Sequence, residues 1–119
     1  MLSIVAADEA ALHRLCVQNN IEPPVSGLVM RDGVTEIGYI LYRVTGTECV
    51  LLRGQAPDEM LLEGLVRAAL NAALSNGAET ASCGEEALFP LLSRLRFVKT
   101  DNCFRILIRE FFNHSCCAK

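Results

Sequence analysis

The chain has 119 residues, of which 51% are hydrophobic and 21% charged, and its formal net charge is −3. This length gives one domain with a substantial core, and the composition excludes an intrinsically disordered chain. A negative charge with scattered basic residues argues against a nucleic-acid-binding protein, which normally carries a basic face. No apolar run approaches the roughly 20 residues of a membrane span, and the first residues lack the basic and long apolar regions of a signal peptide. We therefore expect a cytoplasmic protein with no nucleic-acid or membrane partner.

The six cysteines favour free thiols over a disulfide framework or a zinc site. Four of them lie inside apolar segments without Cys-x-x-Cys spacing, namely Cys16, Cys49, Cys83 and Cys103. Near the end of the sequence, His114, Cys116 and Cys117 contain soft metal ligands, but the further ligands of a structural site are not visible nearby. We predict no metal site and leave the role of Cys116 and Cys117 open.

The first half of the chain reads as one helix among short strands. Asp8 can cap the helix, whose apolar residues recur at helical spacing, and Pro23-Pro24 follow its end. The dipeptide Asp32-Gly33 is a strong hairpin signal, and Gly46 between two threonines marks another turn. These boundaries predict a helix over residues 8–19 and strands over residues 3–6, 27–31, 36–44 and 48–53.

The second half begins with the most regular helical pattern of the chain. Apolar residues form one wide stripe over residues 58–75, Pro57 suits the first turn, and Gly77 suits a left-handed cap. A strand after this helix implies a right-handed crossover and a parallel pair. The remaining pattern predicts a strand over 78–83, a helix over 85–95, a short extended piece over 97–99 and a final strand over 103–112.

The predicted fold class is α/β, with a mixed, mainly antiparallel sheet, one parallel crossover and the order β-α-β-β-β-α-β-α-β-β. Residues 1–112 form a single domain in this prediction, and residues 113–119 form a mobile tail. We expect the strand over 103–112 to lie at an edge of the sheet, where it could pair with a second copy in a homodimer.

The order of several local sequences resembles the GNAT superfamily of acyl-CoA-dependent N-acetyltransferases. The resemblance spans nearly the whole chain and is carried by residues 27–41 with their Asp-Gly turn, by Ala56-Pro57, by residues 65–79 and by residues 92–97. It implies the GNAT fold, acetyl-CoA or another acyl-CoA as cofactor if the activity is retained, and a small-molecule ligand or amine substrate.

The segment between the fourth strand and the long helix departs from that family's pattern. There, a loop of the form Arg/Gln-x-x-Gly-x-Gly/Ala holds the coenzyme A pyrophosphate with its backbone N–H groups. By the resemblance, the two glycines fall on Met60 and Leu62, and the loop is about three residues too short. Asp58 and Glu59 would repel a diphosphate, because each pair of like charges at ~4 Å costs on the order of 4 kcal/mol. We interpret the junction as a self-capped helix start that has lost the pyrophosphate-binding loop.

The resemblance assigns cofactor binding, if it is retained, to five residues. They are Arg53, Gly54, Gln55, Met60 and Leu61. The general acid of the family, a tyrosine, is matched by Leu92, which has no proton to donate. Glu48 is the nearest substitute for a carboxylate base on the fourth strand. The catalytic residues therefore stay unassigned.

Four further side chains have the right chemistry for catalysis but a more ordinary interpretation. Tyr39 and Tyr42 lie in a strand that is apolar on both faces, as in a packed core. His13 lies at the border of an apolar helix stripe. Cys83 has no neighbouring base to lower the pKa of its thiol.

Three functions remain open at this stage. The favoured one is a divergent GNAT-like domain that binds a ligand or assembles with a partner without transferring acyl groups. The alternative is a functioning N-acetyltransferase of an unknown amine. A third, an unrelated α+β domain, predicts that the fourth and fifth strands do not diverge.

Overall fold

A computed structural model describes residues 1–116, with side-chain environments through residue 112. Its centre is a seven-stranded sheet in the order β1-β2-β3-β4-β5-β7-β6. The strands are β1 (Leu2–Ala6), β2 (Ser26–Asp32), β3 (Thr35–Thr45), β4 (Glu48–Gln55), β5 (Thr80–Cys83), β6 (Val98–Thr100) and β7 (Cys103–Leu107). The α-helices of the described residues are α1 (Glu9–Asn19), α2 (Glu59–Ser75), α3 (Phe89–Arg94) and α4 (Ile108–Cys116). Only β4 and β5 pair in parallel, which confirms the predicted fold class.

Local chemistry explains why the elements of the first half begin and end where they do. The Asp8 carboxylate accepts a hydrogen bond from the Ala11 N–H at 2.8 Å and caps α1. Asn20 closes the helix in the left-handed region, at φ 57°. Gly33 and Gly46 also have positive φ, as two-residue hairpin turns require, and they join β2 to β3 and β3 to β4. The predicted meander is therefore present.

The helices cover the sheet in two unequal layers. On one face, α1 packs through Leu15 against Tyr39 and Leu41 of β3. On the other face, α2, α3 and α4 form the larger core, which includes Ile40 and Tyr42 of the same strand. Alternation along β3 thus sends successive side chains into different layers, because neighbouring residues of a strand point to opposite faces.

The end of the chain differs from the prediction. The final strand stops at Leu107, and α4 begins at Ile108, so the strand predicted over residues 103–112 is wrong in its second half. Ile108 and Phe111 are buried at i,i+3 spacing, which fits one face of a helix. The α4 helix continues to Cys116, past the predicted domain end at residue 112. The mobility of the terminal tail stays a prediction, and residue 117, one of the two terminal cysteines, lies outside the described residues.

The predicted edge strand is also misplaced. Strand β7 pairs with β5 on one side and with β6 on the other, so it is an interior strand, and the edges of the sheet are β1 and β6. The helix predicted over residues 85–95 begins as a 3₁₀ turn, Glu86–Leu88, before α3. Within the described chain, no helix is both long and apolar enough to cross a membrane.

Candidate functional site

Strands β4 and β5 run side by side for part of their length and then separate. Glu48 to Leu51 of β4 pair with Thr80 to Cys83 of β5, where β5 ends. Strand β4 continues to Gln55, and this second half pairs only with β3. The sheet therefore opens into a notch beyond Leu51 and Cys83. This divergence contradicts the expectation that followed from an unrelated α+β domain.

A bulge in β4 lies at the point of divergence. Tyr42 of β3 stands opposite Leu51 and Leu41 stands opposite Arg53, so Leu52 is an extra residue without a β3 partner. A bulge bends its strand and increases the local twist. Leu52 packs against the α1 layer, and Arg53 is opposite Leu41 of the same layer. Two consecutive side chains thus reach the same face of the sheet at the mouth of the notch.

On the α1 face, an ion pair bridges the two sides of the notch. The Nη1 atom of Arg53 lies 3.1 Å from Oε1 of Glu85, two residues beyond the end of β5. A further nitrogen of Arg53 donates to the Asn19 carbonyl oxygen at 3.5 Å, at the end of α1. Both charged side chains are partly exposed, so the pair stabilises the fold only weakly. Its position matters more than its energy, because it ties β4 to the segment that follows β5.

On the opposite face, aliphatic side chains cover the same notch. Leu88 is 1% exposed and lies in the large core. A Cβ atom on Gly54 would lie 3.6 Å from a methyl carbon of Leu88 and 3.2 Å from one of Leu62. Gly54 is thus covered closely by the start of α2 and by the turn before α3. The notch carries an ion pair on one face and packed leucines on the other.

The junction between β4 and α2 is short and carries its own cap. Only residues 56–58 separate the end of β4 from the first residue of α2. The carboxylate of Asp58 accepts the Leu61 N–H at 2.9 Å. This bond satisfies one of the N–H groups that a helix start leaves without an intrahelical partner.

A second carboxylate beside this junction is paired with an arginine. Glu59, in the first turn of α2, lies 3.1 Å from the guanidinium of Arg94 at the end of α3. The same guanidinium lies 3.5 Å from Glu63. Arg94 is therefore shared between two carboxylates, which offset its positive charge.

The residues that the resemblance assigned to cofactor binding fall into two groups. Arg53, Gly54 and Gln55 form the diverging end of β4, while Met60 and Leu61 lie in the first turn of α2. Met60 is 78% exposed. The Gln55 side chain accepts the Tyr39 hydroxyl at 3.3 Å. The two groups are joined by the three-residue junction, and Arg53 and Gln55 already have protein partners.

The candidate base on β4 lies at the wrong end of the strand. Glu48 starts β4, where the strands are still paired, and is four residues or roughly 13 Å from the bulge at Leu52. Its carboxylate accepts the hydroxyl of buried Ser82 at 2.9 Å and lies 3.6 Å from the guanidinium of Arg105. These contacts hold three adjacent strands together. Glu48 is therefore a sheet residue in this geometry.

The tyrosines of β3 and Leu92 are packed in the interior. The single hydroxyl hydrogen of Tyr39 is shared between the side-chain oxygens of Asn19, at 3.1 Å, and Gln55, at 3.3 Å. Tyr42 is buried in the other layer, and burial raises the pKa of its hydroxyl, as does the neighbouring thiol of Cys49. Leu92 is fully buried. All three contribute to packing.

Cys83 ends β5 at the notch but is poorly suited to act as a nucleophile. Burial raises the pKa of its thiol to about 11, and the nearby Glu85 carboxylate acts in the same direction. The backbone N–H of Glu85 donates to its sulfur at 3.4 Å, which lowers the pKa but is outweighed. A thiol with such a pKa is almost entirely protonated at neutral pH, whereas the thiolate is the reactive form.

His13 lies away from the notch. It borders an open groove of about 680 Å³ between α1 and residues 20–25, together with Cys16 and Val17. Among the described residues, no three His, Cys, Asp or Glu side chains are grouped closely enough to hold a metal ion.

Glu85 and Leu88 were not identified from the sequence. Both lie in the segment 84–88, which reads as an ordinary helix start, and their contacts with Arg53 and Gly54 depend on the parallel pairing of β4 with β5. In the sequence, the one indication of a site here is that the carboxylate of Glu85 follows the strand predicted over residues 78–83 by two residues.

Comparison with known proteins gives a result for the fold alone. No protein-family model matches the sequence, and no curated protein matches it. The ribosomal-protein-S18-alanine N-acetyltransferase from Escherichia coli superimposes with a TM-score of 0.74 at 11% identity, over 91% of this chain and 94% of that one. A protein of the GNAT family from Desulfovibrio desulfuricans gives a TM-score of 0.69 at 11% identity, over 91% of this chain and 99% of that one. The chain has the GNAT fold.

One further GNAT-fold neighbour has been solved with its cofactor. The PaiA N-acetyltransferase from Thermoplasma acidophilum, in complex with coenzyme A, superimposes with a TM-score of 0.58 at 16% identity, over 82% of this chain and 67% of that one. The sequence resemblance to the GNAT superfamily is thus confirmed at the level of the fold. The residues around the notch then decide which activity this GNAT fold can support.

Proposed function

We propose that this chain is a GNAT-fold domain that does not transfer acyl groups and that serves as a ligand-binding or assembly module. One observation carries the proposal: the notch between β4 and β5 is spanned by the Arg53–Glu85 ion pair and covered by Leu88. An acyl-CoA entering between the strands would have to break that ion pair and displace a packed leucine.

The start of α2 does not fit a diphosphate. A helix N-terminus binds phosphate through free N–H groups and a positive dipole end. Here, the Asp58 carboxylate occupies the Leu61 N–H, and Glu59 adds a second negative charge. Arg94, the cation beside Glu59, is shared with Glu63. With two carboxylates at its start, this helix end favours cations over anions and does not fit the diphosphate of coenzyme A.

The catalytic side chains do not compensate for the poor cofactor fit. Glu48 is held at the paired end of β4, and the Cys83 thiol is protonated at neutral pH. Tyr39 donates its hydroxyl proton within the fold. These three side chains therefore offer no general base beside the notch, and Glu85, the carboxylate that does lie there, is paired with Arg53, which supports a role in binding.

The alternative function, an N-acetyltransferase acting on an unknown amine, is favoured by one observation. The bulge at Leu52 and the divergence of β4 from β5 keep backbone groups at the notch free of a β5 partner. If the segment 84–88 moved away, an acyl-CoA could pair with that backbone, and Arg53 could bind its phosphates. In this case Arg53 would contribute directly to affinity.

The experiment measures the thermal stability and binding heat of the purified protein with acetyl-CoA and with coenzyme A. A ligand that binds only the folded state raises the melting temperature. We expect no shift at millimolar cofactor and no acetyl transfer to a panel of amines.

Variants separate the two functions further. Arg53→Ala removes the ion pair at the notch, and Arg14→Ala, which breaks the exposed pair with Glu36, is the matched control. If acetyl-CoA binds the unmodified protein and Arg53→Ala weakens that binding while Arg14→Ala does not, our expectation of no cofactor binding is wrong and Arg53 holds the cofactor as the alternative function requires. Transfer to any amine would likewise overturn our proposal.

A further inference from the structure

The two edges of the sheet differ in how well they are protected against pairing with another strand. Strand β6 has three residues, and Lys99 lies at its centre. Strand β1 has five residues, Leu-Ser-Ile-Val-Ala, without charge, proline or bulge. Short edge strands and edge lysines are common means of preventing edge-to-edge association. Only β6 has them, so β1 is the edge that can accept a partner strand.

The register of β1 shows which backbone groups point outward. The Ala7 N–H donates to the Gly27 carbonyl oxygen, and the Gly33 N–H donates to the Met1 carbonyl oxygen. In an antiparallel pair, hydrogen-bonded positions alternate with positions whose groups point away. The odd-numbered residues of β1 therefore bond to β2. The N–H and C=O groups of Leu2, Ile4 and Ala6 point away from β2, toward the open edge.

We propose that two copies of this chain pair through β1, in an antiparallel arrangement whose twofold axis passes beside Ile4. Leu2 then stands opposite the partner's Ala6, and Ile4 stands opposite the partner's Ile4. The backbone N–H and C=O groups of the three outward-facing residues of each copy form hydrogen bonds with those of the other copy. The two sheets then become one continuous sheet.

A second copy fits this edge because the pattern is self-complementary. A twofold interface requires that the same surface match itself, and outward groups at positions 2, 4 and 6 are symmetric about position 4. The side chains of β1 are apolar and exposed, at 50% for Leu2, 37% for Ile4 and 40% for Val5. Pairing with a second copy would cover this apolar surface on both faces of the sheet. Like charges do not meet, because β1 has none. The inference rests on the β1 edge alone and stands whether or not the notch binds acyl-CoA.

Sedimentation equilibrium over a micromolar-to-millimolar range tests the pairing. The unmodified chain should form a dimer, and Ile4→Lys should raise the dissociation constant by about a hundredfold or more, because it places two like charges opposite each other. Val98→Lys adds the same charge at an apolar position on the opposite edge that is more exposed than Ile4, 63% against 37%, and should leave dimerisation unchanged. Circular dichroism confirms that both variants fold.

Amide hydrogen exchange provides a readout that identifies the strand. Protection of the Leu2, Ile4 and Ala6 amides should rise with protein concentration, while the Val5 amide, bonded to β2, should be protected at every concentration. A chain that stays monomeric throughout, a dimer that survives Ile4→Lys, or protection that rises at β6 in place of β1 would each overturn the inference.

Discussion

Gly64 and Gly77 show how differently the same residue type can act at two positions of one segment. Gly64 lies within α2, and a Cβ atom there would meet open space. Gly77 follows the helix with φ +95°, a backbone conformation in which any residue with a side chain is strained. Gly64→Ala should raise the free energy of unfolding by about 0.5–1 kcal/mol, since alanine loses less backbone entropy. Gly77→Ala should lower it by roughly 1–2 kcal/mol.

Urea unfolding of the two glycine variants measures both effects against the unmodified chain. Opposite signs are expected for the same chemical change. Destabilisation by Gly64→Ala would contradict the open space that a Cβ atom has at this position within the single chain.

Because the thiols of Cys49 and Cys83 are buried, the free energy of unfolding should fall at alkaline pH. Burial raises the pKa of Cys83 to about 11 and that of Cys49 to about 12, from a usual value of 9.0. Between pH 9.0 and these raised pKa values, the thiols of the unfolded chain lose protons that the thiols of the folded chain retain. Rising pH therefore favours unfolding. The stabilising contribution is fully present below about pH 9 and is lost as the pH rises through 11 to 12. Buried Tyr42, whose pKa is also raised, acts in the same direction.

Unfolding free energy measured from pH 8 upward checks the sign of this effect. The loss of stability above pH 9 should be smaller in Cys83→Ala than in the unmodified chain, when each is compared with its own value at pH 8. An equal loss in both would show that the alkaline sensitivity arises from other groups.

At the scale of single elements, the start of α2 depends on one carboxylate. Asp58 accepts the Leu61 N–H, and its negative charge lies at the positive end of the helix dipole. Asp58→Ala should therefore lower the free energy of unfolding by about 1 kcal/mol. Asp58→Ser keeps a capping oxygen and should lose only a fraction of that amount. Chemical denaturation of both variants measures the difference, and equal losses would exclude capping as the cause.

The same element shows what local sequence can predict. Asp58, Pro57 and Gly77 act within their own segment, so the bounds of α2 follow from the residues themselves. The last strand was predicted too long because residues 103–112 are rich in apolar and aromatic side chains, which suit a strand as well as a buried helix face. Ile108 is placed in α4 by burial against the large core, and local propensity does not show that.

For the whole molecule, the sequence gives the architecture more readily than the site. The order of elements as far as β7 and the parallel pair follow from periodicity and from the crossover rule. The closure of the notch depends on contacts between residues distant in sequence, such as Arg53 with Glu85, and no local pattern encodes them. The sequence does show that residues 56–62 contain no glycine, and this segment follows the end of β4 that diverges from β5.

The two tyrosines allow the cooperativity of the whole molecule to be measured. The chain has no tryptophan, and Tyr39 faces the α1 layer while Tyr42 faces the layer of α2, α3 and α4. Both layers share strand β3, so we expect them to unfold together. In Tyr42→Phe the fluorescence reports the α1 layer, and in Tyr39→Phe it reports the larger core.

Within each tyrosine variant, the fluorescence midpoint should coincide with the midpoint from far-UV circular dichroism. Tyr39→Phe should have the lower midpoint, because it removes the hydroxyl bonds to Asn19 and Gln55, which contribute on the order of 1 kcal/mol. Comparing the two probes inside one variant removes this difference. If Tyr39 fluorescence changes before the circular dichroism signal in Tyr42→Phe, the α1 layer unfolds separately, and the sheet does not couple its two faces.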